Sequence, residues 1–543
     1  MQQLSDLDAS FLYLETDNSP MLIGGLYVFD NAQRETPMNF GEFYSFIESR
    51  LHVARFFRQR LVEVPLKLDQ PYWVDDPEFE LSKHLSYVTL DGTNKDTQLT
   101  ELAAELFSQS LDRDKPLWSI TFVDGLGRDS NLPENCFAMI VRIHHAAIDA
   151  LSGDEVMSSL LDFSATPVTT KKPSAWNPEP LPSKFRLIGG AYGNALGTPF
   201  RLANLAKETA ASTFYSTLLQ RLRSLNLPPA LFSAPRTAFN KTISDKRALH
   251  YVEIPLDRIK NIRKQIDDST INDVVMGICG EALHHYLKDH NATPDAPLIA
   301  MTPISVRSKS LQKKTGNQLS AMMLSLATDV SHPIARIKKI HENAVVSKTY
   351  SQAISAGRLT ELIPSSVAAL SARIYTEFQL AQRHKPLFNI PITNIPGPQT
   401  PLYMNGSKLI RQVGTAPLFD GIGVVLVVVS YDGQITISVT SCPTMMKNPG
   451  DFGSYLLKAV DNIEQALHTP YSHEEPTTDP AEQSQSLMQM GSGFIDDISG
   501  LFSNLFSHNP STTNNQNGKT NNHNDKASNH SDKTNSHNKE GDE

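Results

Sequence analysis

Cysteine is scarce: the 543-residue sequence holds three, Cys136, Cys279 and Cys442, odd in number and far apart. A disulfide framework is therefore not expected, and a reducing compartment is. Positive charge is in deficit too, since 49 Lys and Arg against 58 Asp and Glu leave a formal charge of -9. That balance gives no general basic field for nucleic acid. Long apolar runs are missing. Gly421 to Ser430, the longest aliphatic run, falls far short of the roughly 20 residues that a membrane-spanning helix needs and reads as a buried strand. Met1-Gln-Gln-Leu-Ser-Asp-Leu-Asp8 has neither a basic n-region nor a long apolar core, so no secretory signal is expected. Any membrane contact is expected to be peripheral. The length implies two or three domains.

One stretch organises what is present: Cys136-Phe-Ala-Met-Ile-Val-Arg-Ile-His144-His145-Ala-Ala-Ile-Asp149-Ala150-Leu-Ser-Gly153, an apolar run that stops on two histidines. A strand-length run rich in Ile and Val, followed by polar residues and a helical pattern, reads as a buried strand delivering its last side chains into a cleft. Adjacent residues on extended backbone point to opposite faces, so at most one histidine looks at a substrate. His145 is the expected base. Asp149 either orients an imidazole or turns inward and pins the loop through an arginine. A lone histidine at a strand end is usually a satisfied polar residue, but two with an aspartate favour chemistry. The same three residue types suit zinc, yet the helical His-x-x-x-His spacing and the nearby Cys pairs of a recognisable zinc site are missing, and no metal is expected.

The rest of the chain alternates strand and helix patterns, which argues a layered α/β arrangement. Leu7, Phe11 and Leu14 recur at helical spacing, as do Phe43, Phe46, Ile47 and Leu51. Strands are expected at 24–29, 72–74, 85–90 and 119–123, and a helix at 99–111. After the histidines, Ile148, Leu151, Val156, Met157, Leu160 and Leu161 form one apolar helical stripe. A Pro-, Thr-, Lys- and Ser-rich linker follows at 165–182. Residues 185–225 then interleave Arg201, Lys207, Arg221 and Arg223 with apolar residues, as in a solvated connector or a helix lying on an anionic membrane.

A second block opens with a strand at 249–255 and a helix at 256–265. Ser269 or Thr270 caps a further helix whose first turn holds Asn272 and Asp273. Either both polar residues merely satisfy the helix start, or Asn272 donates a hydrogen bond into the cleft. Strands are expected at 297–307, ending in Arg307, and at 316–326, opening with Gly316-Asn317. Phe388 to Pro398 combines a short strand with a rigid turn that includes Asn394, Pro396 and Gly397. Residues 424–429 and 434–439 form a hairpin through Tyr431-Asp432-Gly433, and a helix at 455–467 closes the globular part. Residues 508–543 carry almost nothing apolar, and ordering such a segment is not offset by burial, so a disordered tail is expected from 469 to 543. Its four histidines, His508, His523, His530 and His537, are expected to be solvated. Between core and tail, Phe494, Ile498, Leu501, Phe502, Leu505 and Phe506 share one helical face, an expected lipid-surface or partner anchor near 494–506.

Several stretches together resemble the bacterial wax ester synthase/acyl-CoA:diacylglycerol acyltransferase family, within the superfamily of chloramphenicol acetyltransferase and peptide-synthetase condensation domains. They are Leu4-Ser-Asp-Leu-Asp8-Ala-Ser-Phe11-Leu, Trp73…Phe79…His84, Leu111-Asp…Pro116-Leu117-Trp118, His144-His145-x-x-x-Asp149, Ile271-Asn272-Asp273-Val-Val, Pro303-Ile-Ser-Val-Arg307, Gly316-Asn317 and Asn394-Ile-Pro-Gly397-Pro398. Each alone is weak, whereas their order and spacing across residues 1–467 are specific. One departure stands out: the family pattern has glycine after the motif aspartate, and this chain has Ala150.

The resemblance implies two chloramphenicol-acetyltransferase-like α/β domains with a tunnel between them, at 1–164 and 246–468, joined by a linker at 165–245. It implies an O-acyltransferase that moves a long-chain acyl group from acyl-CoA to a fatty alcohol or diacylglycerol, with no cofactor beyond acyl-CoA as substrate. His145 would act as general base, helped by His144 and Asp149, with Asn272 as oxyanion donor. Asp273, Arg307, Gly316, Asn317, Asn394, Pro396 and Gly397 would contribute to substrate binding, and Arg307 is also the candidate ion-pair partner of Asp149. The expected location is cytoplasmic, peripheral to the inner membrane or lipid inclusions. Two rivals are a condensation-type enzyme using carrier-bound acyl groups, although no carrier-type Gly-Gly-His-Ser setting is found, and a non-catalytic lipid-droplet protein.

Overall fold

The computed structural model describes residues 1–127, 132–147, 160–166, 176–192, 229, 233–305, 319–353 and 385–468. All of them belong to one unit, Met1–Pro470. The expected tail and its 494–506 segment lie outside the described residues. The chain enters through β1 (Gln2–Gln3) and α1 (Asp6–Leu14), which starts where the Ser5 hydroxyl accepts the Asp8 N–H. Next come β2 (Leu22–Asp30), α2 (Phe40–Arg50), β3 (Gln59–Val62), β4 (Tyr72–Asp75), β5 (Leu85–Thr89), α3 (Lys95–Phe107), β6 (Trp118–Asp124) and β7 (Cys136–His144). The later part contributes β8 (Ala248–Pro255), α4 (Leu256–Lys264), α5 (Ile271–Asp289), β9 (Ile299–Ser305), β10 (Leu319–Ser325) and α6 (Pro333–Ala353). β11 (Ile390–Pro396), β12 (Tyr403–Met404), β13 (Ser407–Thr415), β14 (Val424–Tyr431), β15 (Gln434–Ser441) and α7 (Pro449–Leu467) complete it.

Two six-stranded sheets carry the fold. The first runs β12-β13-β2-β7-β6-β5 and the second β10-β9-β11-β14-β15-β8, while β1, β4 and β3 make a small third sheet. β7 sits inside the first sheet and is buried on both faces. Phe137, Met139, Val141 and Ile143 enter one apolar core, and Cys136, Ala138 and Ile140 enter the other. This explains why its sequence is continuously apolar rather than alternating.

Residues 403–415 do not stay with the rest of the 246–468 block. β13 crosses to the first sheet and lies antiparallel to β2, with Leu409 opposite Phe29 and Thr415 opposite Gly24. β2 is thus clasped between β13 and β7. The approach is close enough that a Cβ on Gly24, whose φ is +146°, would stand 1.9 Å from the Val141 carbonyl oxygen. Glycine alone fits there. Tyr431, at the end of β14, fixes the crossing from the other side: its hydroxyl accepts the Leu402 N–H at 2.8 Å and donates to the Leu409 carbonyl at 2.9 Å. Arg411 adds a two-pronged ion pair to Glu253 on β8.

Candidate active site

β7 ends on His144, and the chain turns at once into a 3-10 turn, His145–Ala147. The strand's last register pair sets Leu22 against His144, and the His145 N–H donates to the Met21 carbonyl at 2.8 Å. The two imidazoles therefore part company. His144 is 1% exposed. Its Nδ1 accepts the Ala146 N–H at 3.1 Å, so in the neutral ring the proton sits on Nε2. That nitrogen lies 3.7 Å from Glu15 Oε2. Glu15 is itself gripped by Arg113, whose Nε donates to the same oxygen at 2.6 Å. Burial pushes the His144 pKa down to about 3, with Arg113 and His145 adding to the effect. The guanidinium offsets the Glu15 carboxylate, which would otherwise favour an imidazolium.

His145 faces the other way. Its ring stacks on Phe11 of α1, centroids 3.7 Å apart and planes 18° from parallel. Nδ1 is buried without a hydrogen-bond partner among the described residues, while the residue as a whole keeps part of its surface open. Burial lowers its pKa to about 4, its own backbone carbonyl working in the opposite direction. The ring is therefore neutral at pH 7, and an unprotonated nitrogen is available to take a proton.

The structure joins a second pair from the expected site. Thr270 caps α5 in a capping box with Asp273, whose carboxylate accepts the Thr270 N–H and hydroxyl, each at 2.8 Å, and lies 2.8 Å from His341 Nδ1. Asp273 thus serves the helix start. Asn272 does not: its Oδ1 accepts from Asn394 Nδ2 of β11 at 3.0 Å, and its own NH2 has no acceptor among the described residues. Pro396 ends β11, and the Gly397 N–H donates to the Ser430 carbonyl at 2.8 Å. Asp149, Ala150, Arg307, Gly316 and Asn317 lie outside the described residues, as does most of the 148–161 helical stripe. Among the described residues no group of three or more His, Cys, Asp or Glu side chains is placed to hold a metal ion.

Three residues around the histidines escape sequence reasoning. Phe11 reads as ordinary helix packing. Glu15 and Arg113 stand 98 positions apart, and no spacing rule pairs them.

The catalytic-domain description of the wax ester synthase/diacylglycerol acyltransferase family matches residues 4–275, and its C-terminal domain matches residues 315–464. A protein of Mycobacterium tuberculosis named as a diacylglycerol O-acyltransferase is 31% identical over 460 residues, covering 82% of this chain and 87% of its own length. A second from that organism is 30% identical over 469 residues, covering 85% of this chain and 98% of its own. The solved wax ester synthase/diacylglycerol acyltransferase of Marinobacter aquaeolei VT8 shares the fold, with a TM-score of 0.60 and 24% identity over 86% of this chain and 100% of that one. With both family domains matched in order on a scaffold that delivers the two histidines to one strand end, this chain belongs to the wax ester synthase/diacylglycerol acyltransferase family.

Proposed function

We propose that the protein transfers a long-chain acyl group from acyl-CoA to the hydroxyl of a fatty alcohol or a diacylglycerol, forming a wax ester or a triacylglycerol and free CoA. The observation that carries the reading is His145: a neutral, partly open imidazole at a strand end, held flat by Phe11. An alcohol is a weak nucleophile until its proton is removed, and a neutral imidazole takes that proton as the oxygen attacks the thioester carbonyl. The tetrahedral oxyanion then needs a donor, for which the NH2 of Asn272 is suited, since the bond from Asn394 occupies its Oδ1. Collapse expels the CoA thiolate, and the imidazolium returns its proton to the sulfur. His144 and Asp149 hold the strand end and the following loop, Asp149 through Arg307. Arg307, Gly316, Asn317, Asn394, Pro396, Gly397 and Asp273 shape the substrate path between the two halves, Asp273 by fixing the start of α5. The reaction as written calls on no cofactor beyond acyl-CoA.

Both acceptors dissolve in lipid, which accords with a cytoplasmic enzyme working against a membrane or lipid inclusion. No helix among the described residues is long and apolar enough to cross a membrane.

Purified protein supplied with palmitoyl-CoA and either hexadecanol or dioleoylglycerol is expected to release thiol only when acceptor is present. His145→Ala is expected to lose at least about a hundredfold of that rate, the usual scale for removing a general base. No acceptor-dependent thiol release with either alcohol would overturn the enzyme reading and favour a lipid-coat role. Release only from a carrier-bound acyl group would favour condensation chemistry. Substantial turnover in His145→Ala would overturn the assignment of the base.

A further inference from the structure

The small sheet of β1, β4 and β3 carries an apolar surface that acyl transfer does not explain. Val64, Tyr72 and Val74 form a local core with Leu187 and Ala191, which lie on one side of a helical stretch at 184–192. That stretch is capped by Ser183, whose hydroxyl accepts the Arg186 N–H. Leu187 and Ala191 are one turn apart and face inward. Phe185 and Tyr192, seven residues apart, share the opposite side of the helix. They are 88% and 66% exposed. A helix that is apolar on its inner side normally turns polar residues outward, whereas this stripe is apolar and has no partner among the described residues.

A second element next to the same core repeats the pattern. The Lys67 N–H donates to the carbonyl of Val64, a member of that core. The turn it closes presents Leu66 at 88% exposure and Leu68 at 50%. Leu66 and Lys67 hold φ values of +59° and +53°, a conformation that residues with a Cβ rarely adopt. The backbone is thus bent against its own preference to turn a leucine into solvent.

The charges around these side chains decide between partners. Lys184 and Arg186 flank Phe185, and both are exposed. Neither has a carboxylate within ion-pair distance among the described residues. Among the described residues Lys67 is met by Glu63, at 3.8 Å, with both side chains more than half exposed. On a chain of net charge -9, an apolar stripe flanked by Lys184 and Arg186, which have no carboxylate partner among the described residues, matches a surface that offers acyl chains beneath anionic head groups.

We propose that the outer side of the 184–192 helix, together with the 66–68 turn that adjoins the same local core, docks the protein onto an anionic lipid surface, with Leu66, Phe185 and Tyr192 inserted among the acyl chains and Lys184 and Arg186 at the head groups. This goes beyond the acyl-transfer reading.

The test is vesicle flotation of the full chain on phosphatidylcholine vesicles with and without phosphatidylglycerol. The triple variant Leu66→Ser/Phe185→Ser/Tyr192→Ser is expected to lower the partition coefficient about tenfold or more. Lys184→Gln/Arg186→Gln is expected to weaken binding only where phosphatidylglycerol is present, by about fivefold per charge. The altered side chains are solvent-exposed, so the unfolding midpoint and the thiol release from palmitoyl-CoA with detergent-dispersed hexadecanol should stay at wild-type values. That control separates failure of docking from failure of the enzyme reading. Wild-type partitioning of the triple variant would overturn the proposal. So would sedimentation showing that the substitutions instead dissociate a dimer, which would make the face a self-interface.

Discussion

Phe11 lies flat on the His145 ring, and that contact both fixes the plane of the base and keeps water from one of its faces. Removing the phenyl group in Phe11→Ala should therefore do two things at once. The turnover number should fall by roughly tenfold, because a loosely held base spends less time in line with the substrate hydroxyl. The pKa of His145 should also rise from about 4 toward its ordinary value as water reaches the ring. Only the neutral ring works as a base, so the acid limb of the pH–rate profile should move to higher pH, whereas Phe11→Leu should shift it less. A pH profile unchanged in Phe11→Ala would show that the stack is incidental.

His144 makes a separate prediction about stability. Its folded pKa of about 3 lies below the unfolded value near 6.5, so between those limits the unfolded chain binds more protons. The stability is full above pH 6.5 and is lost as pH falls toward 3, by about 1.4 kcal/mol per pH unit for this one group. His144→Gln should remove roughly 2 kcal/mol of the loss between pH 7 and pH 5, measured by urea denaturation at both. Equal losses in variant and wild type would contradict it. The two histidines were legible in the sequence because an apolar run stops on them. Their division of labour was only half legible: extended backbone turns them apart, but Glu15, Arg113 and Phe11, which make one inert and the other ready, arrive from distant parts of the chain.

At the level of elements, α5 does the most to place polar groups. Its capping box absorbs Asp273, which frees Asn272 to meet Asn394. Thr270→Ala should cost about 1 kcal/mol of stability, and it should lower turnover with little change in KM if Asn272 stabilises the oxyanion. Further along, Glu281 of α5 meets Arg336 of α6 in a fully buried ion pair, and Asn462 of α7 donates to the same carboxylate at 3.1 Å. Arg336→Leu leaves that carboxylate without its cation and should destabilise the protein by about 3–5 kcal/mol in chemical denaturation. A loss under 1 kcal/mol would mean the pair is not the tie between these helices.

Which elements the sequence disclosed follows from local chemistry. The β14–β15 hairpin is plain because Asp432 and Gly433 supply the two positive-φ positions, +43° and +81°, that its tight turn requires. β13 is obscured by a register shift between Leu409 and Arg411 that breaks the alternation of faces. α6 carries Arg336, Lys338, Lys339, His341 and Glu342 among its isoleucines, and its pattern gives no clean stripe.

On the scale of the molecule, the crossing strand removes the independence that two similar halves would suggest. β13 lies inside the first sheet while β14 and β15, its successors in sequence, belong to the second. All three tryptophans, Trp73, Trp118 and Trp176, precede residue 246. Their fluorescence should nevertheless report damage done in the other half. In Arg336→Leu, the tryptophan unfolding midpoint should drop together with the far-ultraviolet midpoint, and two separated transitions would show that the halves melt alone. A chain ending at residue 245 lacks β12 and β13 and should not yield soluble protein.

The same crossing imposes an order on biosynthesis. β2 emerges from the ribosome with residue 30, and its partner is finished only at Thr415. At 5–20 residues per second the interval is roughly 20–80 s, during which one flank of β2 has no neighbour to bond. A nascent chain with such a wait needs shelter from chaperones or a slow-to-aggregate intermediate. Codon changes that stall translation between these strands should therefore lower the yield of soluble enzyme without altering a single amino acid.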